Sequence, residues 1–154
     1  MKYIVVRFSA NHLPLSWAIR ARTWSKYSHV DFVVEDGKYL GAIPFGGVCY
    51  HEHRYPTEDY FVLEVSEKQR LDIMDFAHSQ VGKPYDFMGI FGFAINRKWQ
   101  DDDKWFCSEY ISGAIQPVIK LFNEEAFRIS PRDVSIHHLF KKVTKDEAIR
   151  ALYA

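Results

Sequence analysis

The sequence predicts an α+β fold, an antiparallel sheet packed against helices on one side, in a single domain spanning residues 1–154. Three observations carry this. Strand-like segments rich in β-branched and aromatic residues crowd into the chain before Ser66, helical periodicity prevails after it, and the turns between the early strands are short enough for hairpins, which makes neighbouring strands antiparallel.

Tyr3 to Phe8 reads as the first strand. Leu13 to Lys26 is mixed, with Pro14 able to open a short helix anchored by Trp17, Ile19 and Trp24. Ser28 to Val34 and Lys38 to Ile43 form a hairpin, because Asp36-Gly37 between them supplies the positive φ angles of a tight turn. Along the first of these strands Val30, Phe32 and Val34 share one face, and His29, Asp31 and Val33 the other. After a turn at Gly46-Gly47, strands follow at Val48 to His53 and Tyr60 to Val65.

Ser66 to Gly82 is the best helix in the chain. Ser66 and Gln69 make a capping box, Leu71, Met74 and Val81 lie along one stripe, and Gly82 with Pro84 stops it. Later, Asp101, Asp102 and Asp103 precede a helix that contains Cys107 and that Pro117 ends, with an Asp expected at its N-cap. Ser130 and Pro131 start a short helix, and Thr144 to Tyr153 is helical and peripheral.

Composition excludes several functions. Twenty basic residues balance twenty acidic ones, and no block of like charge exceeds Asp101 to Asp103, so no nucleic-acid partner is expected. With two cysteines a disulfide framework is not expected, which suits a reducing compartment. The first residues break their apolar run at Arg7, too early for the core of a signal peptide, so a cytoplasmic protein, or one released by lysis, is expected. The apolar run Phe87 to Ile95 is too short to span a bilayer, though long enough for a peripheral contact with lipid.

Chemistry concentrates at Cys107. A thiol at the start of a helix lies at the positive end of the macrodipole, which favours the thiolate. Cys107, Ile111, Ala114 and Val118 follow a helical stripe, so the sulfur points inward. His29, opening a strand at the rim of a sheet, is the candidate base; Tyr85 offers a hydroxyl, and is equally readable as a packed core ring.

Ser28-His29-Val30 at the hairpin, the connector Gly82-Lys83-Pro84-Tyr85-Asp86, and Phe106-Cys107-Ser108-Glu109 before a helix together resemble the circularly permuted branch of the NlpC-type papain-like cysteine hydrolases, which also holds relatives of lecithin:retinol acyltransferase. The resemblance covers residues 25 to 135, with the His strand preceding the Cys helix. It implies a permuted papain-like fold and a cysteine hydrolase, with Cys107 as nucleophile through an acyl-enzyme intermediate, His29 as base and Tyr85 near the thiol. The implied substrate is a cell-wall peptide, for an amidase or peptidase. An acyl hydrolase or acyltransferase acting on lipid, and a non-catalytic interaction module on the same fold, are the alternatives. The family's His-orienting residue stands at the head of the next strand, where this chain has Gly41. The orienting group is then a backbone carbonyl, a water or a residue such as Asp31, which shares the His29 face.

No cofactor is expected. Cys49, His51 and His53 alternate along one strand, but ligands from a single strand rarely close a tetrahedron, so no metal is expected there. Glu109 either anchors its helix or reaches Arg132.

Overall fold

The computed structural model describes residues 1–94 and 103–154. Its centre is a six-stranded antiparallel sheet in the order β4-β3-β2-β1-β5-β6. The strands are β1 (Lys2–Ala10), β2 (His29–Glu35), β3 (Lys38–Ile43), β4 (Gly47–His51), β5 (Thr57–Val65) and β6 (Phe140–Val143). Around it lie α1 (Pro14–Thr23), α2 (Glu67–Ser79), α3 (Phe87–Ala94), α4 (Cys107–Ile115), α5 (Pro131–Ile136) and α6 (Lys145–Leu152). The α+β class with an antiparallel sheet is as expected.

The expectation of helices on one side needs correction. Ile4, Val6, Phe8, Val30, Phe32, Leu40, Phe61 and Leu63 face the main core, with Ile73 of α2 and Tyr110 and Ile111 of α4. Val5, Val33, Tyr39, Tyr60 and Val62 face the opposite way, and α6 covers them through Ala148. The unbroken run Ile4-Val5-Val6 is the reason: a strand without alternation is buried on both faces, and something must cover the second. α6, expected at the periphery, does so.

The hairpin of β2 and β3 turns at Gly37, whose φ is +73°. α2 begins with the expected capping box, Ser66 Oγ accepting from Gln69 N and Gln69 Oε1 from Ser66 N. Its buried contacts are made by Ile73 and Ala77, whereas Leu71 and Val81, expected on the buried stripe, are exposed.

The cap of α4 also differs from expectation. Its N-cap is Phe106, and Glu109 anchors the start by accepting from Phe106 N at 3.4 Å. Asp101 and Asp102 lie outside the described residues, and Asp103 precedes the cap. Cys107, Ile111 and Ala114 are buried as the periodicity requires, and the helix stops two residues before Pro117. In α3, Phe87 and Met88 are exposed, and Ile95 lies outside the described residues. No helix among the described residues is long and apolar enough to cross a membrane.

Candidate metal centre

The site grows out of strand register. Arg7 of β1 pairs with Asp31 of β2, and Tyr39 of β3 pairs with His51 of β4. Pleating places Arg7, His29, Asp31, Tyr39 and His51 on the same face of the sheet, the one α6 partly covers. β3 separates Asp31 from β4, but the β3 residue beside Asp31 is Gly41. The volume a Cβ would take at Gly41 is filled by the Asp31 carboxylate, whose Cγ would be 3.1 Å from it. Gly41 is thus a window through which Asp31 reaches the side chain of β4.

Through that window Asp31 Oδ1 accepts from His29 Nε2 at 2.7 Å and from His51 Nε2 at 3.0 Å. Its second oxygen, Oδ2, accepts from Arg7 Nη2 at 2.7 Å. Arg7 and Asp31 side chains are fully buried. Arg7 Nη1 also donates to Glu58 Oε1 at 3.0 Å and to the His53 carbonyl at 2.7 Å, and the guanidinium lies 3.3 Å from the centroid of the Tyr39 ring. The carboxylate is therefore held at both ends, with its two oxygens committed to different partners.

Electrostatics follow from this packing. Burial works against a charge on His29, but Asp31 and, behind it, Cys107 more than offset it and raise the imidazole to about 10. Burial likewise opposes ionisation of Asp31, and His29, His51 and Arg7 outweigh it, holding the carboxyl well below the usual range. Burial, then the charges of Cys107 and Asp86, hold the Tyr85 phenol well above its ordinary value.

His29, Asp31 and His51 each present one ligand atom, all within 4.8 Å of one another. Two imidazole nitrogens and a carboxylate oxygen are a donor set suited to a divalent transition metal. The cluster is not the Cys49, His51 and His53 set on one strand that the sequence offered. His51 of β4 meets His29 and Asp31 of β2, while the half-buried Cys49 and the exposed His53, which lies beyond the end of β4, do not join the cluster. A cluster drawn from two strands with a third between them leaves no short sequence spacing that links His51 to the other two. The available signals were Arg7 inside an apolar strand and a Gly where the neighbouring strand carries an acid.

The four residues singled out from sequence converge on one end of the sheet. Asp31, offered as the group that orients His29, is hydrogen-bonded to it. Cys107 is only 2 % exposed, its thiol 3.8 Å from the Ser28 carbonyl, and it does not line the cavity beside His29, which Tyr85 does line.

No known protein family matches the chain by sequence, and no curated protein does. Among solved structures, the crystal structure of metalloprotein yiiX from Escherichia coli O157:H7, DUF1105, is similar, with 19 % identity and a TM-score of 0.67 over 94 % of this chain and 97 % of that one. This finding and the His29–Asp31–His51 cluster overturn the expected cysteine hydrolase, peptidase or amidase. The similar structure is a metalloprotein, and His29 is held by a carboxylate in a cluster with donors for a cation, while the thiol is closed off from solvent. The fold of this chain is that of the yiiX metalloprotein.

Proposed function

We propose that this protein binds a divalent transition metal through His29, Asp31 and His51. The observation that carries the reading is the convergence of three potential ligands from β2 and the end of β4 on one buried point, held there by Arg7. The yiiX protein, with the same fold, is a metalloprotein, which supports the reading.

The donors fit. Imidazole and carboxylate together suit Zn²⁺, Fe²⁺ or Mn²⁺ ahead of Ca²⁺ or Mg²⁺, which prefer oxygen ligands alone. A cation would take the place of the protons by which both rings now hold Asp31 Oδ1. Arg7 on Oδ2 leaves a single oxygen for it. When bound, such an ion acts as a Lewis acid towards an oxygen ligand.

We further infer that the sheet with α4 is the circularly permuted papain-like arrangement, since the strand bearing His29 precedes the helix bearing Cys107 and both meet at one end of the sheet. That reading concerns chain order and carries no activity.

Isothermal titration of chelator-treated protein with ZnCl2 tests the metal reading. One site per chain that His51→Ala weakens by about 10- to 100-fold is expected. Absence of binding, or binding indifferent to both His51→Ala and Asp31→Asn, would overturn it.

A further inference from the structure

A cavity of about 70 Å³ opens beside His29, between α1 and the end of the sheet. That is less than half of a void that admits a benzene ring, about 150 Å³, so it takes a group of a few heavy atoms. Its walls decide which group.

Among the described residues no Asp, Glu, Lys or Arg lines it, and the ionisable side chains there are His29, Tyr55 and Tyr85. Ser9 lines the cavity and is fully buried, and its Oγ has no hydrogen-bond partner among the described residues. A buried hydroxyl left in this state is costly, on the order of 1–3 kcal/mol, and calls for a partner. The Tyr55 and Tyr85 hydroxyls likewise make no hydrogen bond with the described residues. Asn11 has its Oδ1 occupied by Leu13 N at 2.9 Å, so its free amide atom is the NH2 donor. Ser16 Oγ accepts from Asn11 N and donates to the Asn11 carbonyl, which leaves the hydroxyl of Ser28, 2.6 Å away, to donate to it.

The spare capacity of the walls includes four donors: Ser9, Tyr55, Tyr85 and the Asn11 amide. The hydroxyls can also accept, but among the described lining residues no carboxylate would balance an ammonium, whereas an anionic acceptor takes charge-assisted hydrogen bonds from all four donors. We propose that this cavity binds the carboxylate end of a small organic acid, with Ser9 and the two tyrosines donating to its oxygens. The site stands on the cavity walls alone and does not depend on a metal.

The probes are propionate, N-acetylalanine, propionamide and propylamine, titrated into chelator-treated and desalted full-length ¹⁵N-labelled protein by NMR. Propionate should shift the amides of residues 9–16 and 28–29 saturably, and propionamide and propylamine should bind at least tenfold more weakly. Ser9→Ala, which removes a hydroxyl with no partner in the fold, should leave the spectrum folded and weaken propionate about five- to tenfold, as should Tyr55→Phe. Tighter binding of N-acetylalanine than of propionate would identify a peptide C-terminus as the source of the carboxylate; the reverse would identify a free acid. Equal binding of propionamide, no saturable shift with either acid, or insensitivity to both substitutions would overturn the proposal.

Discussion

The carboxylate of Asp31 occupies the space that a side chain on Gly41 would need. Gly41 therefore works as an absence: it lets an acid on β2 pass beside β3 and meet His51 of β4.

Gly41→Ala is expected to be disruptive out of proportion to one methyl group. The new Cβ must displace Asp31, which cannot retreat because Arg7 holds its other oxygen. A loss of about 1–3 kcal/mol from overpacking is expected in urea denaturation, together with a fall in Zn²⁺ affinity of about tenfold or more. A variant with wild-type stability and affinity would show that the window is not needed.

Arg7→Met should be among the most destabilising single substitutions in the chain. It strands the buried Asp31 and the nearly buried Glu58 without their common cation, at a cost of about 3–5 kcal/mol. Chemical denaturation measures this directly, and a cost below about 1 kcal/mol would contradict the buried network.

The titration of the His29–Asp31 pair sets a pH window. His29 is raised in the fold to about 10, so its contribution is complete below its unfolded value of about 6.5 and is lost as pH rises towards 10. Asp31 is depressed, so its contribution is complete above about 3.9 and is lost as pH falls below it. Both contributions are complete between about pH 4 and 6.5. Melting temperatures of wild type and Asp31→Asn should differ most in that interval, and the difference should shrink as pH rises towards 10 to the part that the Arg7 pair supplies.

Cation affinity should run the other way. Metal must displace the proton that His29 retains up to about 10, so Zn²⁺ affinity should increase about tenfold per pH unit between pH 6 and 8. Proton release into weakly buffered solution on metal addition provides a second reading of the same exchange.

Cys107→Ala should leave Zn²⁺ affinity within about tenfold, because the thiol neighbours His29 without being a member of the cluster. A loss of more than tenfold would make the sulfur a ligand and would require the end of the sheet to rearrange.

Local elements were legible because their causes are local. The Ser66–Gln69 capping box, the Asp36-Gly37 turn and the alternation of His29, Asp31 and Val33 each depend on residues a few positions apart, and each appears in the structure. β6 was not legible. It is four residues long, and Lys141 and Lys142 give it no apolar alternation; pairing with β5 makes it a strand. The start of α4 was misplaced because an acidic run is a strong cap signal, while the cap in use is the Glu109 carboxylate reaching back from inside the helix.

The sequence by itself determined the α+β class, the hairpins, the inward-facing Cys107 and the placement of His29 with Asp31 on one strand face, since side-chain direction along a strand has a period of two. Tertiary structure alone decided what that face does. Arg7, Asp31 and His51 stand far apart in the chain and meet through the register of four neighbouring strands, across a position where β3 has no side chain. Register is set by long-range pairing and by burial on both faces of the sheet, and no short stretch of sequence carries that information.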